Sequence, residues 1–276
     1  MFEIIYIVCV APRVVKKIST DARVHGVTSV DDELFVLLDR DVDQVAVYSI
    51  NDYQLLRHLT VPGLERNDLN DMTSCVQRKC LYLSDGHNIH RYNLRSSDGP
   101  IIQWRVPSPP AGLSVTPSCN LLVVCYEPRK LVELSADSGQ CVREITLQAD
   151  MKCPLHCVQL TTGQYVVCHG FRDTDLHRVC LVGDDGKLRR TYGSQRASVV
   201  GQLNQPSHLA VDKDSQFILI ADWFSGRIVL LSPTLQFVCN VSEDLQLPYR
   251  LYLDQATRRL FVGQWRRRVT VIQLKS

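Results

Sequence analysis

PSHLAVDKDSQFILIADWFSGRIVLLSPTLQFVCNV, residues 206–241, decides the fold. Apolar and β-branched residues crowd into four short runs, 208–211, 217–221, 227–231 and 235–241. The segments between them, DKDSQ, DWFSG and SPT, are rich in turn formers. No 3.6-residue period fits the stretch, so it reads as four consecutive strands of one antiparallel sheet.

The same phrase returns in both directions along the chain. An entry strand recurs at Gly26 (GVTSV), Asp71 (followed by MTSCV), Gly112 (GLSV), His156 (HCVQL), His208 (HLAV) and Arg250 (RLYL). Second strands follow as LFVLLD, CLYLSD, LLVVCY, QYVVCH, FILIAD and RLFVGQ. Third strands follow as QVAVY, NIHRY, KLVEL, LHRVCLV, RIVLL and RVTVI. The entry positions are separated by 45, 41, 44, 52 and 42 residues. A four-stranded unit repeating in the forties is a propeller blade, and six of them fill the chain. The expectation is an all-β, six-bladed propeller forming one unit over 1–276. Its blades fall at about 21–65, 66–107, 108–150, 151–200, 201–245 and 246–276. The last blade runs out after three strands, while RVVKKI (13–18) is a spare strand at the other end. A ring with an unpaired edge exposes backbone groups, so residues 13–18 are expected to close the sixth blade. Pro107, Pro109 and Pro110 fall in a blade-to-blade connection.

At this point the residues resemble a known family. GQLNQPSHLAVD followed by ILIADWFSGRIVLLSP is similar to the NHL repeat, and LHRVCLVGDDGKLRRTYGS resembles what precedes that motif. Blades one, two, three and six keep the period and lose most motif residues. The resemblance implies an NHL propeller, a class that includes the substrate- or RNA-binding ends of tripartite-motif proteins. Ubiquitin-ligase substrate recognition is therefore one implied role, although no RING-type Cys/His framework occurs in this sequence. More distant members are an amidating lyase and lactonase-type hydrolases. The lyase resemblance asks for histidines at His25, Leu155 and Ser207, and only His25 fits. The lactonase resemblance asks for a Glu, Asn and Asp cluster that the inner strands do not offer.

Composition agrees with a globular domain: 276 residues, 45% hydrophobic, 22% charged, net charge +2. That balance excludes a polyanion binder driven by bulk charge and leaves room for a local basic patch. No apolar run is long enough to cross a bilayer as a helix, so no membrane association is expected. The apolar start MFEIIYIVCV carries Glu3 where a secretory signal has positive charge, and is read as a strand or truncated start. The eleven cysteines lie scattered, mostly in strand-like runs, and no C-x-x-C occurs. Reduced structural thiols, and hence a cytoplasmic protein, are the expectation.

Function is expected to be non-catalytic, with no cofactor and no metal. His156, His208 and Arg250 occupy equivalent entry positions and should point to a common rim, where they either cap their own turns or hold a metal, an acidic peptide or a phosphate, with Arg250 unable to ligate a metal. Charge is segregated: residues 248–276 hold seven basic residues against Asp254, and residues 31–52 hold seven acids against Arg40. Trp223 and Trp265 occupy equivalent second-to-third-strand turns. Aromatics beside arginines have the composition of interface hot spots. The expected docking patch therefore comprises Arg250, Arg266, Arg267, Arg227, Trp223, Trp265, His208 and His156, bordered by Asp39, Asp41 and Asp43. Its expected ligand is a protein or peptide, bound by a monomer. RNA is the first alternative, since Arg266–Arg268 beside Trp265 and Tyr249 would suit phosphates and bases. A hydrolase or lyase with a channel-bound metal is the second.

Overall fold

The computed structural model describes residues 12–64, 69–95, 101–172 and 174–274. The apolar start 1–10 and Lys275 lie outside these residues. Six four-stranded antiparallel sheets follow one another around an axis. Blade one holds β2 (Val24–Val30), β3 (Glu33–Leu38), β4 (Val45–Ser49) and β5 (Leu55–Leu59). Blade two holds β6 (Leu69–Cys75), β7 (Cys80–Asp85), β8 (Asn88–Asn93) and β9 (Ile102–Arg105). Blade three holds β10 (Pro110–Val115), β11 (Leu121–Cys125), β12 (Lys130–Leu134) and β13 (Cys141–Thr146). Blade four holds β14 (Pro154–Gln159), β15 (Tyr165–His169), β16 (Arg178–Val182) and β17 (Leu188–Tyr192). Blade five, the deciding stretch, holds β18 (Pro206–Val211), β19 (Ile218–Asp222), β20 (Arg227–Leu231) and β21 (Phe237–Ser242).

Blade six combines β22 (Pro248–Asp254), β23 (Arg259–Gln264) and β24 (Arg268–Gln273) with β1 (Arg13–Ser19) from the other end of the chain. The registers Arg13↔Gln273 and Ser19↔Arg268 bracket that closure. The expected strand at 13–18 is thus the closing one. Pro110 opens β10 rather than lying in a connection, and Pro154, Pro206 and Pro248 open inner strands in the same way. Proline is tolerated there because the first residue of a strand need not donate to the ladder.

Apart from β8, second and third strands are buried on both faces, which is why they read as continuous apolar runs. Outer strands alternate only weakly, and β13 exposes five of its six residues. Apolar clusters fill the gaps between neighbouring blades. One joins Leu219, Ile228 and Leu230 of blade five to Leu251, Leu260 and Ile272 of blade six. Among the described cysteines nine are free thiols, most of them buried in these clusters. Cys239 is disulfide-bonded, so the all-thiol expectation fails at that position.

Candidate functional site

Each inner strand carries a register shift after its first residue, for example between Pro206 and His208 and between Pro248 and Arg250. The shift recurs in all six blades. A bulge re-aims the next side chain. The six re-aimed positions are Gly26, Asp71, Gly112, His156, His208 and Arg250, and the four side chains among them meet on the axis.

Asp71, which sequence reasoning left without a role, is the centre of that meeting. It is fully buried. Its Oδ1 accepts from Met72 N at 2.9 Å and faces Arg250 Nε at 3.0 Å. Its Oδ2 accepts from Leu113 N at 2.9 Å, with His208 Nε2 at 3.5 Å and His156 Nε2 at 3.9 Å. Arg250, 4% exposed, also donates to His25 O at 2.8 Å and to Asn70 O. The two imidazoles stack with centroids 3.6 Å apart. His156 Nε2 donates to Leu113 O at 3.0 Å. Both Nδ1 atoms accept from backbone, His156 from Leu209 N and His208 from Leu251 N, each at 3.4 Å. Both rings are therefore neutral Nε2–H tautomers.

A rule emerges from these partners. Asp71 of blade two bonds Leu113 of blade three, His156 of four bonds Leu209 of five, His208 of five bonds Leu251 of six, and Arg250 of six bonds His25 of one. The axial side chains are staples from one inner strand to the next. At the two glycines the neighbouring inner strand comes too close for a side chain: a Cβ on Gly26 would sit 2.6 Å from Met72 Cβ, and one on Gly112 would sit 2.3 Å from Leu155 O. His156, His208 and Arg250 do share a locus, as their equivalence demands, but it is the sealed axis and not an exposed rim.

Burial alone would raise the pKa of Asp71, yet Arg250 and then His208 hold the carboxyl well below the usual carboxylate range. Burial pushes His156 far down and His208 down as well. Asp71, His156 and His208 present atoms within 4.8 Å of one another, a spacing that would suit a metal ion. Their chemistry does not fit one. The imidazole lone pairs are spent on backbone N–H groups, the Nε2 protons point inward, and the guanidinium of Arg250 already neutralises the carboxylate.

The second feature lies on the face that bears the second-to-third-strand turns. A 3-10 turn, Trp223–Ser225, joins β19 to β20. Trp223 packs at 4.9 Å from Tyr249, 5.7 Å from Trp265, 4.8 Å from Phe224 and 6.2 Å from Phe171. Tyr249 and Trp265 meet edge-on at 5.0 Å, and His25 lies 5.3 Å from Trp265. The plate runs over blades four, five and six to the edge of blade one. Arginines cap it: Arg23 over Trp265 at 5.0 Å, Arg172 over Phe171 at 5.1 Å, Arg196 over Phe224 at 5.9 Å. Arg266 and Arg267 are exposed in the β23–β24 turn beside half-buried Trp265. Phe224 is 46% exposed.

The expected docking residues thus divide. Arg266, Arg267 and Trp265 stand on this face, with Asp39, Asp41 and Asp43 in the β3–β4 turn of the next blade. Asp21, in the β1–β2 connection, bridges Arg40 across the closure. Arg227 is no surface cation: it is 7% exposed, pairs with Asp222 at 2.9 Å and donates to Ser198 O, Val199 O and Gln202 O. Its work is to hold the connection into blade five. Trp223 is 9% exposed and anchors the plate from below. Phe171, Phe224 and Arg23 were missed; Phe224 adjoins Trp223 in the quoted motif, whereas nothing in the sequence links Phe171 or Arg23 to it.

Buried histidines should make the fold acid-sensitive. Burial, then Arg178, lowers His169 to about 4, and burial, then Arg250, lowers His25 to about 4. A histidine depressed in the folded state binds its proton more readily when unfolded, so stability falls as pH drops from about 6.5 toward 4. His169 alone accounts for roughly 3 kcal/mol across that window. Urea unfolding at pH 7.5, 6 and 5 should show this decline, flattened in His169→Gln. A pH-independent midpoint would contradict it.

No family model matches the chain and no curated protein matches it in sequence. Solved structures do match its fold. Virginiamycin B lyase from Staphylococcus aureus is 11% identical with a TM-score of 0.63, covering 92% of this chain and 83% of its own. A catalytically inactive histidine-to-alanine variant of that lyase with quinupristin gives 10% identity and a TM-score of 0.65, over 96% and 100%. Hydrazine synthase of Kuenenia stuttgartiensis gives 12% and 0.65, over 93% and 97%. At such identities the likeness is one of fold, and it places this chain among the six-bladed β-propellers.

Proposed function

We propose that the chain is a non-catalytic recognition module that captures a protein segment or peptide on its aromatic face. The observation that carries this reading is the arginine-capped plate of Trp223, Phe224, Tyr249 and Trp265. Aromatic rings locked by mutual packing offer large contact area at small entropic cost, and arginines at the edge add charge-assisted hydrogen bonds. A catalytic reading has less support: on the axis, where titratable groups converge, every one is tied to its neighbours. Axial metal chemistry would first have to displace Arg250. If the partner is a ubiquitin-ligase substrate, as the tripartite-motif resemblance implies, the ligase activity comes from a RING framework this sequence does not contain.

The test uses peptides selected by display on the immobilised protein. Arg266→Glu with Arg267→Glu is expected to weaken their binding at least about tenfold, roughly 1.4 kcal/mol, and to leave the melt unchanged. Asp214→Lys, exposed in the β18–β19 turn on the opposite face, should have no effect. Equal binding by both variants would refute the assigned face. Single-stranded RNA bound more tightly than any selected peptide would replace the protein reading with the nucleic-acid one.

A further inference from the structure

The opposite end of the disc carries a thiol cluster that the recognition reading leaves unused. Cys75 and Cys80 are direct cross-strand partners flanking turn 76–79 of blade two. Cys119 sits between β10 and β11 of blade three, in a left-handed conformation with φ of 61°. It packs against the cluster that contains both other cysteines, and its thiol lies against that of Cys75.

The three sulfurs differ in access. Cys75 is 2% exposed and Cys80 fully buried, whereas Cys119 is partly open to solvent. The Cys119 thiol donates to Gln77 Oε1 at 2.9 Å. Arg78 and Lys79 follow that glutamine in sequence, and Arg95 donates to Gln77 O at 3.5 Å. Asp137 and Asp31 pair with Arg78 and Lys79 respectively, but Arg78 Nε has no partner. An accessible thiol in basic surroundings is the one that reacts first. Burial pushes the Cys75 thiol up and shields it, so peroxide meets Cys119 first, and what fits Cys75 for the second step is its place against the Cys119 thiol.

We propose that Cys119 and Cys75 form a reversible, peroxide-driven disulfide that staples blade two to blade three. In the first step the Cys119 thiolate attacks hydrogen peroxide and the O–O bond breaks. Sulfur, oxidised by two electrons, becomes a sulfenic acid, and the departing hydroxide takes up the thiol proton as water. In the second step the Cys75 sulfur attacks the sulfenic sulfur and the S–O bond breaks. The S–S bond forms, and hydroxide leaves with the Cys75 proton as a second water. A dithiol reductant restores both thiols. This chemistry is independent of what the aromatic face binds.

The test is one equivalent of hydrogen peroxide on the purified protein, alkylation of the remaining thiols and peptide mass mapping. The expected product is a Cys75–Cys119 cross-link, reversed by dithiothreitol and lost in Cys119→Ser. In Cys75→Ser, dimedone should instead trap the sulfenic acid on Cys119. The oxidised wild type should melt about 5 °C higher, because the bond closes a long loop in the unfolded chain. A Cys75–Cys80 link, no link at all, or oxidation of Cys141 or Cys153 ahead of Cys119 would overturn the proposal. Should Cys75→Ser fail to fold, the wild-type cross-link map decides alone.

Discussion

Arg250→Ala is expected to destabilise the protein by on the order of 3–5 kcal/mol in denaturant unfolding. The guanidinium is the principal charge opposing the buried carboxylate of Asp71, and it also satisfies the carbonyls of His25 and Asn70. Removing it leaves an uncompensated buried charge and two unpaired acceptors. Asp71→Ala should cost a similar amount, since it strands Arg250 and the Leu113 amide. The two losses must not add, because each variant destroys the same interaction. Asp71→Leu combined with Arg250→Met should therefore be more stable than Arg250→Ala alone. A wild-type unfolding midpoint for Arg250→Ala would show that the axial pair does not hold the blades together.

Removing β1 is expected to lower the melting temperature by about 10 °C or more and to promote self-association. Only Ile18 of this strand is buried, where it joins Val24, Val269 and Val271. Burying such a side chain contributes roughly 2–3 kcal/mol, and the lost hydrogen bonds to β24 add about 1 kcal/mol each. At about 2–4 °C per kcal/mol for a domain near this size, the sum amounts to a drop of about 10 °C or more. The exposed β24 would then be a flat, apolar edge that invites another chain to pair with it. Thermal melting together with sizing chromatography measures both effects. A truncated protein that melts and elutes as the intact one does would remove β1 from the account of closure.

Blade architecture was legible in the sequence because it rests on local chemistry. β-Branched runs bounded by turn formers are determined within ten residues, and a repeat in the forties needs only counting. The strand 227–231 of the quoted stretch coincides with β20, and its neighbours differ by one or two residues at their ends. Equivalence of His156, His208 and Arg250 was legible for the same reason. Their direction was not. A bulge after the opening residue turns each of these side chains onto the axis, and hydrophobicity patterns do not record a single-residue register shift.

By itself, then, the sequence determined the number of blades, the closing strand and the set of positions that share a place in the ring. Which groups meet was decided by tertiary structure alone. Asp71 lies 179 residues from Arg250 along the chain, yet ring geometry puts them 3.0 Å apart, where each makes the other's burial tolerable. Arg227, a surface charge in any local reading, became an internal clamp because Asp222 and three loop carbonyls enclose it. The aromatic plate gathers residues from three blades, and beyond the equivalence of Trp223 and Trp265 no spacing rule connects them. Side-chain chemistry is written residue by residue, but its solvation, and with it the difference between a docking charge and a structural one, exists only once the ring has closed.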